Sequence, residues 1–94
     1  MEHSILIHKP EDHVGVAVRD IDSGETVVGL ITENNDLYEV KVIHKIPLGH
    51  KVALKSVSDG EPILIYGSNC GLALDAISKG EHVHVHNMVS ARWK

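Results

Sequence analysis

Hydrophobic and polar positions alternate along this chain in many short stretches, and the apolar members are mostly Val and Ile. Ile5 to His8, Val14 to Arg19, Thr26 to Ile31, Leu37 to Ile43, His50 to Leu54, Pro62 to Tyr66 and His82 to His86 each predict a β-strand. In a strand successive side chains point to opposite faces. Val14, Val16 and Val18 therefore share a face, as do Val40 and Val42. One stretch departs from this pattern: Gly71-Leu72-Ala73-Leu74-Asp75-Ala76-Ile77-Ser78 predicts a short helical turn, with Gly80 suited to its C-terminal end. Asn34-Asn35-Asp36 is a polar turn signal, so Thr26 to Ile31 and Leu37 to Ile43 should form a hairpin, the least cohesive part of the pattern and a candidate excursion from the core.

Between the strands one phrase recurs: an aliphatic residue, two others, Gly, two others, an aliphatic. It reads Ile21-Asp22-Ser23-Gly24-Glu25-Thr26-Val27, Ile46-Pro47-Leu48-Gly49-His50-Lys51-Val52, Val57-Ser58-Asp59-Gly60-Glu61-Pro62-Ile63 and Ile77-Ser78-Lys79-Gly80-Glu81-His82-Val83. Each copy predicts a buried aliphatic, a turn with Gly at positive φ, and entry to a strand. Glu61 and Glu81, directly after their turn glycines, read as solvated. The uneven spacing excludes a solenoid, which needs a fixed period. A compact β domain that reuses one turn fits better.

The richest chemistry lies in Gly80-Glu81-His82-Val83-His84-Val85-His86-Asn87. As a strand this would put His82, His84 and His86 on one face and the valines on the other. Alternate residues lie roughly 6.5–7 Å apart, so an ion held at about 2.0–2.1 Å could take two neighbouring imidazoles plus a ligand from elsewhere. All three could meet one ion only if the chain bent sharply. From spacing alone, a functional site and a solvated, histidine-rich strand face both remain open.

Ninety-four residues make one domain with one core. The formal charge is -4 with scattered Lys and Arg, which argues against a nucleic-acid binder. Tyr38, Tyr66 and Trp93 are the only aromatics other than His, too few for a base-stacking platform. The core must come from Val, Ile, Leu and Ala. Cys70 is the single cysteine, which excludes an internal disulfide and a cysteine-based zinc site and favours a cytoplasmic setting. It reads as a small buried residue. No apolar run approaches the roughly 20 residues of a membrane span.

Taken together, these segments resemble the SAF domain of the altronate and galactarate dehydratases (the UxaA family), a module that also forms the small subunit of sulfolactate sulfo-lyase. The resemblance runs from about residue 5 to 88. It is carried by Lys9-Pro10-Glu11-Asp12-His13-Val14-Gly15-Val16-Ala17-Val18-Arg19-Asp20, Ile46-Pro47-Leu48-Gly49-His50-Lys51-Val52-Ala53-Leu54, Gly60-Glu61-Pro62-Ile63, Tyr66-Gly67, Gly71-Leu72-Ala73, Asp75, Ile77, Gly80-Glu81-His82-Val83-His84 and His86-Asn87. Two positions depart from the family: His13 replaces a usual Asn, and Val85 replaces a usual Thr or other small residue.

The resemblance implies a mostly β, β-clip (SAF-type) single domain over residues 1–94. It implies a partner, a large dehydratase subunit that carries most of the catalytic machinery, and a sugar-acid or sulfolactate-type substrate losing water or bisulfite. It further implies a divalent metal, iron or alternatively Mn or Zn, held mainly with the large subunit. Elimination beside a carboxylate needs a base, an acid and stabilisation of an enolate-like intermediate. On this reading His50, His84 and His86 are the candidate catalytic residues, and His82, Asn87 and Lys51 the substrate contacts. His84 and His86 are the candidate metal pair. His3, His8, His13 and His44 fall outside the matched histidines and read as surface residues. Arg19 is read as a surface ion-pair residue. Two other readings stand beside this one: a free-standing module binding small carboxylates without catalysis, and a purely structural zinc or iron site. An exposed face for the partner could also make the isolated chain a homo-oligomer.

Overall fold

The computed structural model describes residues 3–65, 68–84 and 86–90, the last residue and 68–70 as backbone only. The expected strand end at Tyr66 and the placements of Val85 and of the Cys70 side chain lie outside the described residues. The chain is mostly β, as expected. It contains β1 (Ile5–Ile7), β2 (Val14–Ala17), β3 (Thr26–Ile31), β4 (Asp36–Lys41), β5 (Lys51–Ala53), β6 (Pro62–Ile65), β7 (Ser68–Ala73), β8 (His82–Val83) and β9 (Met88–Ser90). Six strands form one sheet in the order β4-β3-β1-β2-β5-β8, and β6-β7-β9 form a second.

The expected hairpin exists. β3 and β4 pair antiparallel from Thr26↔Lys41 to Ile31↔Asp36, and Asn35 takes φ 62° in the connection. It is no excursion, however, because β3 also pairs in parallel with β1, and Val27, Ile31 and Val40 are buried in the core.

The expected helical turn over 71–78 is absent. Its first half is the end of β7, where Gly71, Leu72 and Ala73 pair with Ser90, Val89 and Met88. Gly71 lies so close to β9 that a Cβ there would come within 2.6 Å of the Val89 carbonyl oxygen. Its second half, Ile77-Ser78, is the start of a turn phrase. Eight residues containing a Gly are a poor helix nucleus, and both halves have β partners.

All four turn phrases are built as expected, with Gly24, Gly49, Gly60 and Gly80 at φ between 83° and 91°. They also pair with one another, which spacing could not reveal. Ile21 bridges Ile46, and Val57 bridges Ile77, each through two backbone hydrogen bonds of 2.8–2.9 Å. All four aliphatics are buried.

Three phrases share a further device. The Glu after the glycine folds back and accepts from the backbone N–H three residues earlier: Asp22 N to Glu25 (2.7 Å), Ser58 N to Glu61 (2.6 Å) and Ser78 N to Glu81 (2.9 Å). Glu61 and Glu81 are thus turn caps rather than merely solvated residues. In the second phrase the capped position is Pro47, which has no N–H to offer. Asp20 caps the next residue instead, accepting from Leu48 N at 2.8 Å. Position 50 is thereby released from capping, and it holds a histidine.

The buried residues form two clusters, one around Ile5, Ile21, Val42, Ile46 and Val52, the other around Val14, Ala53, Ile63, Ile77 and Val83. β2 and β5 contribute to both, Val14 and Ala53 to one, Ala17 and Val52 to the other. These strands are therefore covered on both faces. The three valines expected on one face are unequally covered: Val14 is buried, whereas Val18 is 38% exposed.

Candidate active site

β5 and β8 pair antiparallel with Lys51 opposite Val83 and Val52 opposite His82. Extending this register by one residue brings His50 opposite His84. Directly opposed residues share a face, so His50, His82 and His84 gather on the face that carries the buried Val52.

The expected strand from His82 to His86 is not continuous. β8 stops at Val83, and the chain turns back on itself, with Asn87 N and Met88 N both donating to the His84 carbonyl (3.1 and 3.0 Å). The turn follows His84 and takes His86 out of the row. The neighbouring pair His82 and His84 is joined instead by His50 from across the β5–β8 pairing: ligand nitrogens of the three all lie within 4.8 Å of one another. The His50 and His84 rings stack at 4.0 Å between centroids with 14° between planes, and His50 Nδ1 lies 2.8 Å from His82 Nε2.

His86 sits outside this group. It is exposed on the turn, its ring 5.1 Å from that of His82. The nitrogens brought together are those of His84 with His50 and His82, so the expected His84–His86 pair is replaced by a group that draws on two strands. Lys51 is half-buried on the opposite side of the β5 pleat from His50, although its charge reaches His84.

Asn87, expected as a substrate contact, is 4% exposed and turned inward. Its Oδ1 accepts from His84 N (2.9 Å), and its Nδ2 donates to the His82 carbonyl (2.8 Å) and to Glu81 Oε2 (3.4 Å).

His13 and His44, read as surface residues, both have partners. His13 is half-buried, and its Nδ1 accepts from Leu64 N at 2.8 Å, tying the loop before β2 to the second sheet. His44 is exposed, as expected, but its Nδ1 accepts from His82 N at 3.5 Å, adding a fifth imidazole at the margin. Arg19 forms the expected ion pair, with Glu25 at 2.9 Å.

Burial first, and crowding of like groups second, hold the site toward its neutral form. His82 is held below the usual imidazole range, first by burial and then by the neighbouring His86, His50, His84 and His44. His84 is lowered too, by burial first and then by His50, Lys51 and His86. Lowered values keep these imidazoles neutral near pH 7, the form that binds metal or accepts a proton. Stability of the metal-free chain follows in sign. Above about pH 6.5 folded and unfolded imidazoles are alike neutral, and this part of the stability is fully present. As pH falls through that value the unfolded chain takes up protons first, so stability is lost progressively until the folded values are passed. Urea midpoints taken from about pH 8 to about pH 5 should decline, and His82→Gln should flatten the decline.

The donor set suits a divalent ion. A tetrahedral ion with bonds of about 2.0–2.1 Å wants its ligands roughly 3.3 Å apart, within the span of the three imidazoles. Nitrogen donors without a carboxylate favour zinc, iron or nickel over calcium or magnesium. The 2.8 Å contact between His50 and His82 requires a proton on one of the two nitrogens, which an incoming ion would displace.

An all-β domain with paired Gly turns and an imidazole group at a two-strand junction defines a small site-bearing module. Residues 3–91 match the model of the altronate/galactarate dehydratase SAF domain, and the chain belongs to that family. It is 32% identical to the (2R)-sulfolactate sulfo-lyase subunit alpha of Chromohalobacter salexigens over 94 residues, covering 99% of this chain and all of that subunit. A second subunit of the same name, from Paracoccus pantotrophus, is 34% identical over 64 residues, 68% of this chain and 96% of that one. The altronate dehydratase of Bacillus subtilis is 42% identical over 89 residues, which are 93% of this chain but only 16% of the enzyme. The chain therefore spans the sulfo-lyase subunits nearly whole and a small fraction of the dehydratase. Among the described residues no helix is long and apolar enough to cross a membrane.

Proposed function

We propose that this chain is the small subunit of a two-subunit lyase. It would complete the active site of a separate large subunit that eliminates water or bisulfite from a hydroxy acid. The observation that carries the reading is the end-to-end match to a sulfo-lyase subunit alpha. The dehydratase match points the same way, because most of that enzyme lies outside the matched region.

Within such an assembly His50, His82 and His84 would hold a divalent ion, iron or alternatively Mn or Zn. The ion would act as a Lewis acid toward the substrate carboxylate and hydroxyl. His86, exposed beside His82 and outside the three-imidazole group, would exchange a proton with substrate. Lys51 adds positive charge near His84, which favours a carboxylate there. Asn87 is withdrawn from the substrate. A sugar acid or sulfolactate as substrate and a cytoplasmic setting complete the proposal.

The test is reconstitution. The chain is added to the purified large subunit, and 2-keto acid is followed from altronate, galactarate or sulfolactate. Product formation should appear or rise sharply with the mixture, while the small chain alone should be silent. No gain over the large subunit alone overturns the reading. Saturable binding of a sugar acid to the isolated chain, with no catalysis in the mixture, would replace it with a carboxylate-binding module.

A further inference from the structure

The strand pairing ends at Lys51↔Val83, one residue short of His50 and His84, which the same register sets opposite each other. A side chain from the turn that follows holds His84 in that position. Asn87 accepts the His84 N–H at 2.9 Å and donates to the His82 carbonyl at 2.8 Å, so it grips the backbone of both site histidines on β8 and just beyond it. Its second amide hydrogen goes to Glu81 Oε2 at 3.4 Å, and the other oxygen of Glu81 caps Ser78 N. The Asn87 carbonyl accepts from Leu74 N at 2.9 Å, which anchors the turn to the chain leaving β7.

We propose that Asn87 is the positioning residue of the imidazole group, oriented by Glu81, and that it sets the approach of His82 and His84 to His50. The proposal rests on the reading of these imidazoles as the functional site. Chemistry explains why the residue is an amide. Two donors and an acceptor are needed in a fixed arrangement, and Asn supplies them from a short side chain. Asp could still accept from His84 N. It would lose the donor to His82 and would set a carboxylate against that of Glu81. A buried residue with its polar atoms engaged in this way has nothing left to offer a substrate.

Two variants of the full 94-residue chain test this. Asn87→Ala removes the grip. Glu81→Gln keeps an oxygen for the Ser78 cap but turns an amide donor toward the Asn87 donor, a milder disturbance that leaves the core untouched. Two readouts are taken. Titration with Co2+, followed by its visible absorption, reports affinity and coordination. The imidazole proton resonances of the metal-free chain report ring stacking, since the His50 and His84 rings lie face to face.

Asn87→Ala should weaken Co2+ binding roughly 10- to 100-fold, the range typical of residues that orient metal ligands, and should change the absorption spectrum. Glu81→Gln should do the same to a smaller extent. In both variants the ring-current shifts should collapse toward free-imidazole values while the core methyl resonances persist. A folded Asn87→Ala with wild-type Co2+ affinity and wild-type imidazole shifts overturns the proposal. If Asn87→Ala does not fold, unchanged imidazole shifts in Glu81→Gln overturn it. If the wild-type chain takes no Co2+, the metal part of the proposed function fails, and the imidazole spectra still decide the role of Asn87.

Discussion

Gly80→Ala should abolish cooperative folding, whereas Gly60→Ala should leave a folded domain weakened by about 1–2 kcal/mol. Both glycines sit in the same turn phrase at nearly the same angles, φ 87° and 83°. Any L-residue there meets the left-handed penalty, and for Gly60 that is the whole cost, since the space around its missing Cβ is open. Gly80 is different. A Cβ at this position would drive into the Lys41 carbonyl oxygen, a backbone atom at the end of β4 that cannot swing away. The turn is pinned on both sides, its N–H donating to the Ala53 carbonyl (2.8 Å) and its own carbonyl accepting from Ile43 N (3.0 Å). Relief of the clash would have to open one of these junctions. Small domains hold only about 5–15 kcal/mol in total, so strain plus a broken junction should consume most of it. Urea denaturation of both variants, followed by far-ultraviolet circular dichroism, makes the comparison. Similar midpoints for the two would show that Lys41 yields more easily than the packing implies.

Positions where local chemistry dictates conformation were legible in the chain. A Gly set three residues after one aliphatic and three before the next announces a left-handed turn, and all four such turns form. Strands rich in Val and Ile declare themselves by a period of two, yet their partners do not. The short helical turn was misplaced because Gly71-Leu72-Ala73 has no partner in sequence, while in space it has β9, a strand of three residues with no pattern of its own. Val14 and Ala17 were likewise obscure. An alternating strand is read as having one buried face, but β2 and β5 lie between two cores, and small residues fill both sides.

The site was half legible. His82 and His84 stood out by spacing, and strand geometry already allowed such a neighbouring pair to share an ion with a ligand from elsewhere. The turn that takes His86 out of the row was hidden because Asn87 resembles a substrate contact until its hydrogen bonds are seen to point inward. His50 came only through family resemblance, since its link to His84 runs across the β5–β8 pairing, 34 residues away in sequence. A local signal did exist. Three phrases place Glu after the glycine to cap an N–H, and the one that places His there also carries Pro47, where no N–H exists. A position freed from the structural duty of its counterparts is a good place to look for function.

His50→Ala should cost Co2+ or Zn2+ affinity on the order of a hundredfold or more, exceeding the 10- to 100-fold range of residues that only orient ligands. The nitrogens of His82 on β8 and of His84 just beyond it would remain, and His50 would be the ligand contributed from beside β5. In the reconstituted enzyme the same change should lower turnover by about a hundredfold or more, because the ion that would act as Lewis acid is held less well. The fold should scarcely respond. His50 is half-buried at a turn, and its backbone contacts, His50 N to the Pro47 carbonyl and Ala17 N to the His50 carbonyl, survive any side-chain change. His50→Glu sharpens the test, because it installs the residue that the other three phrases carry at this position. With Pro47 offering nothing to cap, Glu at position 50 should be structurally neutral, and a carboxylate oxygen would replace an imidazole nitrogen in the ligand set. Affinity should then shift from Zn2+ toward Mn2+, the ion that favours oxygen donors. Equal thermal midpoints for the wild type and both variants, together with these changes in metal binding and turnover, would mark position 50 as functional. A large loss of stability in His50→Glu without a change in metal preference would instead return His50 to the role of a packing residue.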